Sequence, residues 1–378
     1  MSMKMPGVNI SFTEKASTAV ERGERGIVAM ILRGTVLAKN PIEVASVADI
    51  PSTMSAKNRQ QVLNVLKGYV NMPKKVLAYM IPDVEGDYGE QTGEGTDGGT
   101  YLPPNAEGDY GQAMESLGTE KWNYLVAPSC ETDQKTMELA LWVGSLREEG
   151  KMVKAVLPNC ASGKEYIVNY TTESVTDENG TTYTTEEFCG RIAGILAGTP
   201  LSISCTYAPV PELADCSRMK KAEMDAKVAA GELFVFHDGE KVKVARGVTS
   251  FVGETAEKGR QFRKIKVVDA MDMITDDIRK TIEDSYIGKY ANSYDNKCVL
   301  LSAISNYFKD LTGDGVVSSY DVGIDIEANR SYLEGKGIKT AELSEDSLKK
   351  ADTGDEVFLY AAIKILDAIE EVTIPISI

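Results

Sequence analysis

The sequence predicts a multidomain α/β and α+β protein: a mixed α/β middle domain, an α+β C-terminal domain, and extended strand arms at both termini. Three observations carry this expectation. From Met114 onward, apolar strand-like runs alternate with helix-period stretches. After the linker Gly253–Gly259 a second series follows in the order strand, helix, helix, strand. Finally, both ends of the chain alternate apolar and polar residues, where termini are usually polar and frayed.

The N-terminal arm is Val8, Asn9, Ile10, Ser11 and Phe12, within a segment 1–22 that ends in a charged, glycine-punctuated hinge at Glu21–Gly26. Period two puts Val8, Ile10 and Phe12 on one face. A small N-terminal domain, 23–111, opens with a buried strand at Ile27–Leu32. It continues with a helix near Lys57–Tyr69 and a strand at Val76–Ile81. Residues 83–111 then break the composition. Glu85, Asp87, Glu90, Glu94, Asp97, Glu107 and Asp109 are strung among eight glycines without a lysine or arginine, and Glu-Gly-Asp-Tyr-Gly occurs at 85–89 and again at 107–111. Such a stretch has too little apolar surface to order itself and reads as an exposed loop. Its repeated carboxylates could bind a cation, but a solvated insertion is the simpler reading.

The α/β middle domain, 112–253, is expected to place strands at Trp122–Ala127, Lys151–Leu157 and Glu165–Val168, and helices at Glu131–Glu148 and Thr185–Ala197. Its strands should pair at least partly in parallel. Glu232–His237 and Lys241–Arg246 flank Asp238-Gly239, the signal of a two-residue hairpin turn. In the C-terminal domain, 254–366, strand Gln261–Val268 leads to helices Asp276–Tyr286 and Asn296–Leu311. Strand Asp321–Ala328 and an apolar-striped segment, Val357–Val372, follow. The last twelve residues, 367–378, end in a second arm: Thr373, Ile374, Pro375, Ile376, Ser377 and Ile378.

The arms are poised between order and disorder. Fixing six residues costs about 6–12 kcal/mol of backbone entropy. Four or five ladder hydrogen bonds return roughly 4–5 kcal/mol, and three buried Ile or Phe side chains roughly 5–9 kcal/mol. The sum is near zero, so a tail stays put only where a sheet edge is already held beside it. The pattern leaves open whether that edge belongs to the same domain or to another subunit.

Composition narrows the function classes. A net charge of −16, from 41 basic and 57 acidic residues, disfavours nucleic-acid backbones and anionic membranes as partners. There is no apolar run of membrane-spanning length. Met1–Pro6 has no apolar core behind Lys4, which predicts no secretory signal and synthesis in the cytoplasm. The six cysteines lack CxxC spacing and read as reduced, mostly buried thiols. With His237 the only histidine, neither a zinc site nor a Ser-His-Asp triad is expected. Ala161–Glu165 follows a strand but departs from a phosphate loop: Pro158 stands where the first glycine belongs, and Glu165 where Ser or Thr would hold magnesium. One metal signal stands out. Asp310, Thr312, Asp314, Ser318 and Asp321, with Gly315 at position six, match the spacing of a calcium loop and resemble those of dockerin modules. A calcium-dependent binding or adhesion module is therefore the alternative reading. The string is equally a turn between a helix and a strand, with Asp where the bidentate Glu belongs. Neither a catalytic site nor a cofactor site emerges.

At the level of longer strings, the chain resembles the contractile tail sheath proteins of phages, prophages, R-type bacteriocins and related contractile injection particles. The matching strings are Pro6-Gly7-Val8-Asn9-Ile10-Ser11-Phe12 with Arg22-Gly23-Glu24-Arg25-Gly26, the stretch Phe188–Tyr207, Gly231-Glu232-Leu233, Arg246-Gly247-Val248-Thr249-Ser250, Lys264–Ile274 and Tyr286–Ser293. They span nearly the whole chain in order. The resemblance implies a structural subunit of an assembled virion or phage-tail-like particle. Its partners would be other copies in six-fold rings stacked as a helix, an inner tail tube protein, a baseplate and a tail terminator. It also implies that the arms add strands to sheets in neighbouring C-terminal domains, with Gly23 and Gly26 as hinges, and that contraction is a metastable-to-stable lattice change. The C-terminal domain would face the tube, with Arg279, Lys280 and Lys289 as candidate contacts unless they are simply a solvated helix face. Segment 83–111, where the chain departs most from the family's strings, would face solvent.

Overall fold

The computed structural model describes residues 19–36, 39–83, 106–256 and 258–378. The N-terminal arm, Val8 to Phe12, and residues 84–105 of the acidic segment lie outside the described residues. The described chain divides into two compact units: Gly23–Asp276 together with Ile365–Ile378, and Asp277–Lys364 together with residues 19–22.

In chain order the large unit contains β1 (Ile27–Arg33), β2 (Ile42–Val44), α1 (Ala56–Leu66), β3 (Lys75–Ile81), α2 (Ala106–Thr119), β4 (Tyr124–Val126), α3 (Thr136–Glu148), β5 (Lys154–Pro158) and β6 (Ile167–Tyr170). It goes on through β7 (Ser174–Asp177), β8 (Thr182–Thr184), α4 (Thr185–Ala197), β9 (Leu213–Cys216), α5 (Lys221–Ala229), β10 (Glu232–Leu233), β11 (Val235–His237) and β12 (Val242–Val244). Seven strands form one sheet in the order β10-β6-β5-β4-β1-β3-β2, parallel throughout except for the antiparallel edge strand β2. This is the partly parallel α/β arrangement that the alternation of strands and helices predicted. Residues 23–111 and 112–253, expected as separate domains, contribute strands to this one sheet. The physical reason is β1. It is buried on both faces, so it needs β3 on one side and β4 on the other. Val28, Met30 and Leu32 point into one core, with Val62, Val65 and Ile192 of α1 and α4. Ile27, Ala29 and Ile31 point into the other, with Ala113, Leu139 and Val143 of α2 and α3.

Local chemistry sets the helix limits. Ser55 caps α1 by accepting the Asn58 N–H, and Thr184 with Glu187 forms a capping box at the start of α4. Helices α1 and α4 touch at Gly194, where a Cβ would sit 2.2 Å from the Val65 carbonyl oxygen, so only glycine permits the contact. Residues 106–111, expected within the exposed loop, form the first part of α2, and Tyr110 is fully buried there. The second Glu-Gly-Asp-Tyr-Gly copy is therefore helical, because Tyr110, Ala113 and Leu117 make an apolar stripe that the loop reading overlooked. The β11–β12 hairpin closes where the Asp238 N–H donates to the Lys241 carbonyl at 3.1 Å, across the two residues Gly239 and Glu240, one position later than the expected Asp238-Gly239. Asp238 Oδ1 accepts the N–H groups of Glu240 and Lys241, stabilising the turn.

The predicted strand Gln261–Val268 is instead a short 3-10 turn, Arg260–Arg263, followed by the 21-residue helix α6 (Ile265–Ser285). Its β-branched start imitates a strand: Ile265 to Ala270 are all buried, so no period shows there, and exposure returns only at Thr275 and Lys280.

The small unit holds the end of α6, α7 (Tyr294–Gly313), β13 (Val317–Ile324), α8 (Ile326–Gly335), α9 (Glu345–Lys349) and β14 (Leu359–Ile365). Helix α7 buries Leu300, Ala303, Ile304, Tyr307, Phe308 and Leu311, a stripe at three- and four-residue spacing. Inside that core Tyr307 Oη donates to Asp277 Oδ2 at 2.7 Å. The expected strand Asp321–Ala328 is displaced. It begins at Val317 and stops at Ile324, because Asp325 accepts the Ala328 N–H at 2.9 Å and caps α8.

Candidate assembly site

Among the described residues the small unit carries a sheet of two strands, β13 and β14. Ser318 Oγ donates to the Lys364 carbonyl and the Asp325 N–H to the Phe358 carbonyl, which sets an antiparallel register. Tyr360 lies over Gly323, where a Cβ would meet its ring at 2.6 Å, and its hydroxyl donates to Asp321 at 3.1 Å. Only Val317 and Ile324 of β13 are buried, and no residue of β14 is. Among the described residues neither outer edge has a further strand.

Beyond β14 the chain forms no regular structure. Its first stretch is nonetheless bound to the large unit. Lys266 Nζ donates to the Leu366 carbonyl, and Lys264 pairs with Asp367. Arg246 Nε donates to Glu370 Oε2 at 2.9 Å, and Arg246 Nη2 to Glu371 Oε1 at 3.2 Å. Thr206 Oγ1 and Ser204 Oγ donate to Glu370 Oε1 at 2.6 and 3.3 Å. Burial pushes the Asp367 carboxyl up, but the Lys264 bond and charge outweigh it and hold it below its ordinary value. From Val372 onward these contacts stop. Val372 is 70 % exposed, Ile374 72 % and Ile376 82 %, and Ile378 is exposed as well. The arm Thr373–Ile378 thus joins no sheet of its own chain among the described residues.

The other expected site residues are distributed as follows. Gly23 falls at the junction between the units. Gly26 is no loose hinge: it sits at φ +82° against Ala197, and its carbonyl accepts the Lys74 N–H at 2.8 Å. Arg22, before the junction, pairs with Asp314 in the small unit. Lys280 and Lys289 are exposed, whereas Arg279 is half-buried. Sequence reading missed the β13–β14 sheet as an open pair and the cluster Arg246, Lys264, Lys266. The cluster's members lie 100 residues or more from the arm groups they meet; the adjacent Glu370-Glu371 inside an apolar tail was the available signal.

The calcium-loop string is not a loop. Asp310 and Thr312 belong to α7, Gly315 takes the left-handed conformation at φ +71°, and Ser318 and Asp321 lie in β13. The Val316 N–H bonds to the Leu311 carbonyl and the Gly315 N–H to the Thr312 carbonyl, the pairing that ends a helix at a glycine. Among the described residues no group of three or more His, Cys, Asp or Glu is placed to hold a metal ion. His237 has a turn role, its Nδ1 accepting the Gly239 N–H at 2.9 Å. All six cysteines are unpaired and all but Cys298 are buried; burial pushes the Cys130 and Cys205 thiols up to about 12.

One buried charge network ties α6 to the central sheet. Lys154 Nζ lies 2.5 Å from Asp272 and 3.1 Å from Asp269, and Arg147 reaches Asp272 through two bonds of 3.1 and 2.8 Å. Tyr124 donates to Asp269 at 2.6 Å. Burial pushes the Asp272 carboxyl up, but the Lys154 and Arg147 charges outweigh it and hold it low. Every carboxylate has its cation, so the network fixes position rather than offering a reactive group. Among the described residues no helix is long and apolar enough to cross a membrane.

Comparison with known proteins supplies the context. Residues 105–250 match the phage tail sheath protein central domain, and residues 257–378 the phage tail sheath C-terminal domain. The tail sheath protein of Clostridium phage phiCD119 is 34% identical over 377 residues, covering 98% of both chains. The sheath tail protein from Desulfitobacterium hafniense is 20% identical with a TM-score of 0.66, covering 85% of this chain and 94% of that one. The anti-feeding prophage helical sheath in its contracted state is 13% identical with a TM-score of 0.68, covering 100% and 99%. The last two likenesses are of fold. The chain therefore belongs to the phage tail sheath family and is a structural subunit of a sheath, of the kind carried by contractile phage tails and contractile injection systems.

Proposed function

We propose that the chain stacks as six-fold rings around an inner tail tube, linked by strand addition. The C-terminal arm of each subunit completes the two-stranded sheet of a neighbour, and the N-terminal arm, Val8 to Phe12, does the same. The observation that supports this reading is an unmatched pair: an arm whose isoleucines face solvent, and a sheet with no further strand on either edge among the described residues. Their lengths agree. Residues 372–378 in extended form span roughly 23 Å at about 3.3 Å per residue, and β14 is seven residues long.

Contraction then needs no chemical step. A lattice with two packings, the extended one metastable, moves to the more stable one when a baseplate releases it, while the linked arms keep the subunits connected. A tail terminator closes the other end. Arg279, Lys280 and Lys289 are offered to the tube.

The test is negative-stain electron microscopy of the purified chain beside a chain lacking residues 373–378. Hollow rings or tubes are expected from the full chain alone, with the shortened chain folded and monomeric. Rings or tubes from the shortened chain would overturn the linking role of the arm.

A further inference from the structure

We propose that Arg246, Lys264 and Lys266 form a clip that holds the root of the C-terminal arm, residues 366–371, to the subunit's own body, so that the free strand-forming segment begins at Val372. The inference rests on the arm's linking role and adds the residues that aim it. Glu370 is the keystone. Its side chain is 9 % exposed, and it accepts from Ser204, Thr206 and Arg246 at once. The cradle is built into the fold: Thr206 Oγ1 accepts the Gly247 N–H at 3.0 Å, and Ser204 Oγ accepts the Thr206 N–H at 3.1 Å. Asp367 and Glu371 add ion pairs on either side. Ile369, between them, is 89 % exposed, so the segment Asp367–Glu371 is held by its charges and not by apolar burial.

The contrast within these thirteen residues has a mechanical consequence. A fully loose tail would sample a volume set by thirteen residues, from Leu366 to Ile378. A clipped one samples only what seven residues reach, from a fixed point and in a fixed direction. Shorter free length raises the effective concentration of the arm at a neighbour's sheet edge and lowers the ordering cost of capture. The clip is a positioning device: Arg246 and its partners need not touch the neighbour.

Nitroxide spin labels on the full chain read the clip directly, because its bonds end on side-chain carboxylates and on the Leu366 carbonyl and not on amide N–H groups. With Cys298→Ser leaving only buried native thiols, a label at Ile369→Cys should give a slow-motion spectrum and a label at Ile376→Cys a fast one, and Arg246→Ala with Lys264→Ala should remove the slow component at 369. Because that variant alters the body, Glu370→Gln serves as a second one confined to the arm, and should loosen the same label. The double charge exchange Arg246→Glu with Glu370→Arg should restore the slow component that either single change removes. In electron micrographs the clip variants should yield fewer or irregular tubes. Equally fast spectra at 369 and 376 in the otherwise unaltered chain would overturn the clip. So would variants that assemble like the parent while deletion of 373–378 abolishes assembly. Assembly surviving that deletion would instead remove the arm's linking role, with the label spectra still deciding whether the root is held.

Discussion

Strands β1 and β14 are both seven residues long, and they differ in what surrounds them. β1 is hydrogen-bonded on both sides and buried on both faces, so all but its last residue are inaccessible. Among the described residues β14 has one strand partner and no buried residue. The large unit's seven-stranded sheet flanks its central strands on both sides, whereas both described strands of the small unit's sheet are edge strands. On the proposed reading, the comparison locates assembly: the wide sheet supplies a body, and the two-stranded one supplies an edge. An account based on this difference predicts that damage to β1's surroundings unfolds the subunit, and that damage to the arm spares folding but stops assembly.

The largest effect should come from the arm. Ile374→Asp with Ile376→Asp is expected to abolish rings and tubes in electron micrographs. The urea midpoint should hardly move, because exposed side chains away from the core contribute within about 0.5 kcal/mol. A large loss of stability would break the comparison by showing that the arm is part of the fold.

Next comes the network beneath the central sheet. Asp272→Ala leaves Arg147 without its carboxylate and Lys154 with Asp269 alone, and should cost about 3 kcal/mol in a urea titration. The pH dependence has a definite sign. The Asp272 carboxyl is held low in the folded state, so its contribution is complete above the ordinary carboxylate range and is lost as pH falls through the lowered value. Acid should therefore narrow the gap between the parent and Asp272→Ala.

A smaller loss is expected from Gly194→Ala. The new methyl group forces α4 away from the Val65 carbonyl at a cost of about 1–3 kcal/mol, read as a lower thermal midpoint. Smallest of all is Ile376→Ala, with a stability change below about 0.5 kcal/mol and a measurable decrease in tube yield.

Much of this was legible in the sequence because the signals were periodic and local. The run Ile27–Leu32, the helix at Thr185–Ala197 and the long helix before Gly313 follow from burial pattern and caps. The alternating isoleucines of the C-terminal arm were visible as a segment that needs a partner. The failures have physical causes. Ile265-Lys266-Val267-Val268 is β-branched enough to read as a strand, and the helix declares itself only over the next two turns. Asp310–Asp321 places oxygens at metal-like intervals, but a helix stop uses Gly315 and Asp314 for the same residues. Tyr110 looked solvated because its neighbours are acidic and glycine-rich, while its burial depends on strands nearby only in the fold. Pairs such as Arg246 with Glu370 leave no local trace at all. Their meeting is fixed by topology.

The most direct test replaces Ile376 with a photoreactive residue and mixes isotopically light and heavy copies before irradiating the assembled protein. Cross-links joining light to heavy chains at residues 317–324 or 359–365 are the predicted result. Cross-links confined to a single chain, or falling only outside β13 and β14, would contradict the claim that one subunit's arm completes another's sheet.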